Sequence, residues 1–256
     1  MPRYAIKIEY NGSRYFGWQK TAELATIQGA LERAARGANN DQTVDVIGAG
    51  RTDAGVHAIG QIAHFDLPKP WRPDRLRDAL NAYLHPQPIA VTRAWAVGDD
   101  FHARFSAVER RYLYRVLGRR PPPTLEAGRV WWVPTLLDIN AMQDASRHLI
   151  GVHDFTTFRD AQCQAKSPIK TLDALDVGEG VGACGPEIHI VARSRSFLHR
   201  QVRSMVGALV KVGRGGWKPD DVAAALHARD RQRCAPVAPS DGLYLTEVLY
   251  PETALG

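Results

Sequence analysis

Between Tyr4 and Tyr10 the chain alternates, with Tyr4, Ile6, Ile8 and Tyr10 on one side and Lys7 and Glu9 on the other. A period of two predicts a half-buried strand, and Asn11-Gly12 behind it predicts a turn. The period then lengthens. Ile27, Ala30, Leu31, Ala34 and Ala35 recur at helical spacing behind Thr26, whose hydroxyl suits an N-cap. Thr43 to Ile47 and Gln61 to Phe65 read as strands on either side of a polar, glycine-rich loop. A second helix runs from about Asp74 to Leu84, with Leu76, Ala79, Leu80, Tyr83 and Leu84 on one side. It halts before Pro86, which cannot continue it. Ile89 to Val97 is again a strand. The order is β-α-β-β-α-β, the split βαβ pattern.

The same order returns further on. Arg110 to Leu117 reads as a strand, and Gly118 to Gly128, with Pro121-Pro122-Pro123, as a surface connection. Asp138 caps a helix carrying Ile139, Met142, Leu149 and Ile150, closed by Gly151. Thr171 to Val177 and Glu187 to Arg195 are strands, Phe197 to Val212 a helix, and Leu243 to Tyr250 the closing strand. A short helix, Asp220 to Ala228, interrupts this second series. The expected class is therefore α+β, with two β-α-β-β-α-β halves, 1–105 and 106–256, related by element order rather than by sequence identity. Two such halves could share one antiparallel sheet with helices on one face, leaving the open face or an intervening cleft for a ligand.

Composition narrows the partner more than the fold. The 256 residues are 45% hydrophobic and carry a net charge of +6. A mild basic excess suits a polyanion, because each Lys or Arg set against a phosphate releases counterions. Three cysteines, none in a C-x-x-C pair, argue against a disulfide framework or a cysteine-rich zinc site. They read as reduced thiols of a cytoplasmic protein. The nine histidines show no metal-binding spacing. No apolar run has the length of a signal peptide or a membrane span.

The richest segment for chemistry is Gly48 to Ala58. It holds three glycines, Arg51, Asp53 and His57 between two hydrophobic strands. It matches neither a P-loop nor the G-x-G-x-x-G dinucleotide fingerprint. On spacing alone Asp53 reads equally well as a turn residue, and Tyr112 as a core tyrosine, since Tyr112, Tyr114 and Val116 share one strand face. His199, Arg200 and Arg203 gather on the polar side of the helix from Phe197, opposite Leu198, Val202, Met205, Val206 and Leu209, and Arg193 and Arg195 precede them. As a group they suit a phosphate track. Arg14, Lys20, Arg104, Arg110 and Arg111 are weaker candidates of the same kind.

Gly50-Arg51-Thr52-Asp53-Ala54-Gly55-Val56-His57-Ala58 resembles the signature of the tRNA pseudouridine synthases that act on the anticodon stem-loop, the A family. The resemblance spans nearly the whole chain. It includes Ile8 to Gln19, Phe101-His102-Ala103-Arg104-Phe105-Ser106-Ala107, Arg110 to Tyr114, Asp154 to Arg159 and Gly242 to Leu245. One departure is Gln201, where many bacterial members carry Met. The resemblance implies the pseudouridine synthase fold and isomerisation of uridines 38, 39 and 40 of the anticodon stem-loop. It implies Asp53 as the essential aspartate, Arg51 as its partner, and Tyr112 as the ring that stacks on the target base. It further implies a homodimer free of cofactor and metal, with tRNA lying across both subunits. His57 is expected to be structural or an RNA contact, and Arg200 and Arg203 to bind substrate. Two other readings compete: a non-catalytic RRM-like RNA-binding protein, which lacks the expected RNP1-type aromatic run, and a carboxylate glycosidase, which the basic charge disfavours.

Overall fold

The computed structural model describes residues 1–255. Eleven strands and five α-helices follow along the described chain: β1 (Arg3–Tyr10), α1 (Ile27–Ala38), β2 (Ile47–Gly48), β3 (His57–Asp66), α2 (Pro73–Leu84), β4 (Ile89–Val97), β5 (Glu109–Gly118), β6 (Trp131–Val133), α3 (Ile139–Arg147), β7 (Gly151–Asp154), β8 (Ile169–Leu172), β9 (Ala174–Gly182), β10 (Gly185–Ser194), α4 (Gln201–Gly213), α5 (Pro219–Ala228) and β11 (Leu243–Leu249). This is a mixed α/β protein whose strands pair mostly antiparallel, with β11 parallel to β3 and β6 parallel to β5. Among the described residues no helix is long and apolar enough to cross a membrane.

The chain divides into two compact units, Met1–Arg110 with Tyr244–Gly256, and Arg111–Leu243. In the first, the strands lie in the order β4-β1-β3-β11, with β2 also on β3. The start of β3 pairs with both β1 and β11 (Tyr10 with Ala58, Tyr244 with His57), so the strand begins four residues before Gln61. Gly60 makes the approach of β11 possible, because a Cβ there would lie 2.0 Å from the Thr246 carbonyl oxygen. Helices α1 and α2 pack on each other. Thr26 caps α1 as expected, its hydroxyl accepting from the Gly29 amide at 3.3 Å. The strand expected over 43–47 shrinks to Ile47–Gly48. Val44 and Val46 are buried, but the Val46 carbonyl is taken by the Gln28 side chain at 3.1 Å instead of a neighbouring strand. Burial without pairing produced the apolar pattern.

In the second unit the order is β5-β10-β9, with β6 on β5 and a separate β7-β8 pair. The strand expected over 171–177 is two strands, broken at Asp173, whose amide donates to the Arg193 carbonyl at 2.9 Å. Helix α3 is capped by Asp138, which accepts from the Ala141 amide at 2.9 Å, and packs on β9, α4 and α5.

Helix α4 departs most from expectation. It begins at Gln201, four residues after Phe197, because Arg200 sits in the left-handed region at φ 58°. The Gln201 side chain turns back to accept the Leu198 amide at 2.8 Å and closes that turn. Nor does α4 have a solvated polar face. All of its residues except Arg203 and Lys211 are buried, since segment 234–238 covers the side away from the apolar stripe. A Cβ at Gly207 would lie 2.0 Å from the Pro236 carbonyl oxygen. Leu198, Val202, Met205, Val206 and Leu209 are buried as expected.

Candidate active site

The loop from Gly48 to Val56 has almost no ladder to hold it, so its backbone groups are met one at a time by other parts of the first unit. The opening segment supplies one wall. The Trp18 amide donates to the Thr52 carbonyl at 3.0 Å, and the Gly55 amide to the Tyr15 carbonyl at 3.2 Å. The hydroxyls of Tyr10 and Thr52 lie 2.8 Å apart in the interior. Asp53 thus stands between Thr52, fixed through both its carbonyl and its hydroxyl, and Gly55, which turns the chain at φ 81°. The Val56 amide closes that turn on the Asp53 carbonyl at 3.1 Å. Asp53 itself is half-buried, and Arg51 is exposed.

Two glycines allow the walls to approach. Gly17 has φ 87°, and a Cβ on it would lie 2.6 Å from the Thr52 carbonyl oxygen. A Cβ on Gly12 would lie 1.9 Å from the Val56 carbonyl oxygen. The Gly12 amide donates to His57 Nδ1 at 3.2 Å, which places the His57 ring proton on Nε2. His57 is buried and stacks on Tyr244 at a centroid distance of 4.7 Å. Of its two expected roles, these contacts support the structural one.

The start of the loop is held from beneath. Gln61, with no exposed surface, donates from Nε2 to the Gly50 carbonyl at 2.8 Å. Arg110 donates from Nη2 to the Ala49 carbonyl at 2.8 Å and to the Arg104 carbonyl at 2.7 Å. Arg110 is buried, not a surface phosphate ligand. Its second bond leads to the segment Phe101–Ser106, which is fastened at three more points. The His64 Nδ1 accepts the Ala103 amide at 3.1 Å, the Tyr250 hydroxyl donates to the Ala103 carbonyl at 2.6 Å, and His102 Nδ1 accepts the Arg104 and Phe105 amides at 3.2 and 3.3 Å. Burial lowers the pKa of His64 to about 4, helped by His102 and Arg3 nearby. Burial likewise lowers His102 and raises the Tyr250 phenol. At neutral pH all three are therefore uncharged, as their hydrogen-bonding roles require.

The other candidates lie in the second unit. Tyr112 is buried on the face of β5 that also carries Tyr114 and Val116, and meets Phe197 edge-on at 5.2 Å. Arg200 is exposed in the turn before α4, and its Nη1 donates to Asp160 Oδ2 at 2.9 Å. Asp160, itself buried, also accepts the Gln162 amide at 2.8 Å and lies 3.7 Å from His199 Nδ1. Arg203 is half-buried and donates from Nε to the Ala238 carbonyl at 2.8 Å. Sequence reading missed Tyr10, His64, Gln61 and Asp160. Tyr10 lies on the predicted buried face of β1 with nothing to mark its hydroxyl, and Gln61, His64 and Asp160 are single buried polar residues, which periodicity does not report. Among the described residues no three His, Cys, Asp or Glu side chains gather as metal ligands would.

A family model described as tRNA pseudouridine synthase matches residues 6–106 and 145–251, which include Arg51, Asp53, His57, Arg200 and Arg203 but not Tyr112. A "tRNA pseudouridine synthase A" of Azorhizobium caulinodans is 57% identical over 252 residues, covering 98% of this chain and 96% of that protein. Proteins of the same name from Rhodopseudomonas palustris strain BisA53 and from Maricaulis maris are 59% and 55% identical over 250 and 254 residues, covering 98% and 99% of this chain and 100% of each relative. Among solved structures, one titled "Crystal Structure of a Cbf5-Nop10-Gar1 Complex" is similar over 81% of this chain and 54% of its own, at 10% identity and a TM-score of 0.31, a slight likeness.

Proposed function

Because this chain belongs to the tRNA pseudouridine synthase family, we propose that it isomerises uridines 38, 39 and 40 of the tRNA anticodon stem-loop, with Asp53 as the catalytic carboxylate. It is an isomerase that turns uridine of tRNA into pseudouridine. The reaction breaks the C1′–N1 bond, rotates the uracil and joins C1′ to C5, with no net oxidation or hydrolysis. A carboxylate serves this in two ways. It can attack C1′ to give a sugar ester, as retaining glycosidases do, or it can take a proton from the sugar to give a glycal. Both routes begin from an ionised Asp53 close to the sugar.

The observation that carries the reading is the way the Asp53 loop is held. Its backbone is bonded on either side of Asp53, at Thr52 and Gly55, while the residue keeps part of its surface. A nucleophile loses rate steeply with misplacement, and backbone anchorage limits that loss. On the same reading Arg51 pairs with Asp53, and Tyr112 stacks on the extruded base, offsetting part of the few kcal/mol that extrusion costs. Arg200 and Arg203 meet the RNA, and His57 supports the surface that meets it. The halves 1–105 and 106–256 are the two RRM-like halves of a pseudouridine synthase fold, the first carrying the catalytic loop and the second contributing residues that bind RNA. The enzyme works in the cytoplasm as a homodimer and needs neither metal nor cofactor. The net charge of +6 supports tRNA as the partner.

The test is Asp53→Asn. The amide keeps the size of the side chain but is neither a nucleophile nor a base. Pseudouridine formed in the anticodon arm, read by chemical mapping, should fall by on the order of a thousandfold or more, while tRNA binding in a filter titration stays close to normal. Near-normal conversion by freshly purified Asp53→Asn, checked for deamidation, would sink the assignment.

A further inference from the structure

Phe105 and Arg104 are both exposed, Phe105 at 69%. Single exposed apolar residues are common on protein surfaces. What distinguishes this one is the segment beneath it. Phe101–Ser106 has no strand or helix of its own, yet four buried or partly buried side chains bond its backbone: Arg110 and Tyr250 donate to its carbonyls, and His64 and the segment's own His102 accept its amides. The Ser106 hydroxyl adds another, accepting the His102 amide at 3.0 Å. Burying so many polar groups is costly unless each finds its partner. Here the partners are the backbone of one short segment. The result is a rigid base with two side chains left outside it.

Those two side chains are arranged together. The Arg104 guanidinium lies 5.5 Å from the centroid of the Phe105 ring, and the His102 imidazole lies 4.4 Å from it, tilted by 33°. A flat ring with open surface, backed by a second ring and flanked by a guanidinium, offers what an unpaired nucleotide presents in return: a π-face for the ring and a phosphate for the cation. The position suits the same partner. One nitrogen of Arg110 bonds both the Arg104 carbonyl and the Ala49 carbonyl. The platform therefore lies beside the start of the loop that carries Asp53.

We propose that Phe105 and Arg104 form a docking platform for an unpaired nucleotide of the tRNA close to the one being modified, the base stacking on Phe105 and its phosphate lying against Arg104. The inference rests on the tRNA-modifying function proposed above and assigns it a second point of contact. Uncharged His64 and His102 fit it, since each keeps the Nδ1 lone pair that fixes the segment. A protein partner would use the same exposed ring through its apolar area alone.

Three variants test this in tRNA titrations at several salt concentrations, with single-turnover rates at saturating tRNA. Phe105→Leu keeps an apolar side chain but removes the π-face, and should weaken binding about tenfold with an unchanged salt slope. Phe105→Tyr keeps the face and should bind within about twofold of wild type. Arg104→Gln should lower the slope of log affinity against log salt by about one. The saturated rate should stay near normal in all three, because the platform binds and does not react. Unchanged affinity in Phe105→Leu, beside a wild type that binds and modifies tRNA, overturns the platform alone. Wild type that neither binds nor modifies tRNA overturns the platform and the proposed function together. Loss of self-association in Phe105→Leu with full tRNA affinity overturns the platform in favour of a protein contact.

Discussion

Gly12→Ala adds one methyl group at the seam between the opening segment and the Asp53 loop. The new Cβ would lie 1.9 Å from the Val56 carbonyl oxygen, 2.6 Å from its carbon and 3.1 Å from the Gly55 carbon. All three are backbone atoms, so no side chain can swing aside. Real Cβ atoms do not come within 3.0 Å of such neighbours, and relief requires the two backbones to part by about 1.1 Å. The Gly12–His57 bond, already 3.2 Å long, does not survive that shift. Overpacking and an orphaned buried acceptor together amount to about 2–4 kcal/mol, or a melting point lower by roughly 5–10 °C in a chain of this size. If Asp53 is the proposed reacting carboxylate, a displacement of about 1 Å there also costs on the order of a hundredfold in rate. The assay is single-turnover pseudouridine formation at 25 °C, where the variant remains folded, beside a thermal melt. Gly178→Ala, with no atom within 4 Å of the added methyl, is the control and should leave both unchanged. A Gly12→Ala protein with normal rate and normal melting would refute the idea that close backbone contact positions Asp53.

Two further outcomes follow from the same geometry. His64 has a folded pKa of about 4 against 6.5 unfolded, so the unfolded chain binds the extra proton first. The contribution of neutral His64 is complete above pH 6.5 and is lost as pH falls toward 4, by at most ~3 kcal/mol. Melting midpoints measured between pH 7.5 and 4.5 should fall through that window, and His64→Asn, which does not titrate there, should flatten the decline. A wild-type midpoint constant over the range would contradict the buried, neutral state. Arg200 and Arg203 should separate. Arg200→Ala should reduce the salt slope of tRNA binding by about one, whereas Arg203→Ala, which releases the Ala238 carbonyl, should lower the melting point with less effect on the slope. Identical behaviour of the two in both assays would count against the distinction.

The hydrophobic pattern predicts most of the elements because burial and regular structure coincide in them. Tyr4 to Tyr10, Ile27 to Ala38 and Ile89 to Val97 show a period that matches the element formed. The pattern misleads where the two part company. Val44 and Val46 are buried without a partner strand. The apolar run behind Phe197 contains a left-handed turn at Arg200 before its helix begins, and Arg200 and Arg203, grouped in the sequence as a phosphate track, also bond neighbouring segments. Strands β6, β7 and β8 are three or four residues long, too short for a period of two to stand out. Of the candidate site, Asp53, Arg51 and His57 stand out through the family resemblance of their loop, since on spacing alone Asp53 reads equally well as a turn residue. Gln61, His64 and Asp160 do not stand out, because one buried polar residue has no repeat to reveal it, and the alternation that places Tyr10 says nothing of its hydroxyl.

Of those hidden residues, Tyr10, Gln61 and His64 share a single task. A strand meets its backbone hydrogen bonds through its neighbours, but a loop that must approach a substrate has no ladder to do so. In the first unit the Asp53 loop and the Phe101–Ser106 segment are met by side chains: Tyr10 on Thr52, Gln61 on Gly50, Arg110 on Ala49 and Arg104, His64 and Tyr250 on Ala103. In water such bonds are worth little, because the loop would bond water equally well. In the interior each group left alone costs about 1–3 kcal/mol, so every clamp strongly disfavours loop conformations that break it. The clamps also overlap. Arg110 holds both segments, and Tyr10 ends the strand whose next turn, through Gly12, holds His57. Shifting the Asp53 loop therefore disturbs several buried partners at once, and the energy that resists the shift is their sum rather than the strength of any one hydrogen bond. A chain without cofactor or metal in its proposed chemistry has only geometry with which to bring a carboxylate to a sugar, and this is how its sequence fixes that geometry.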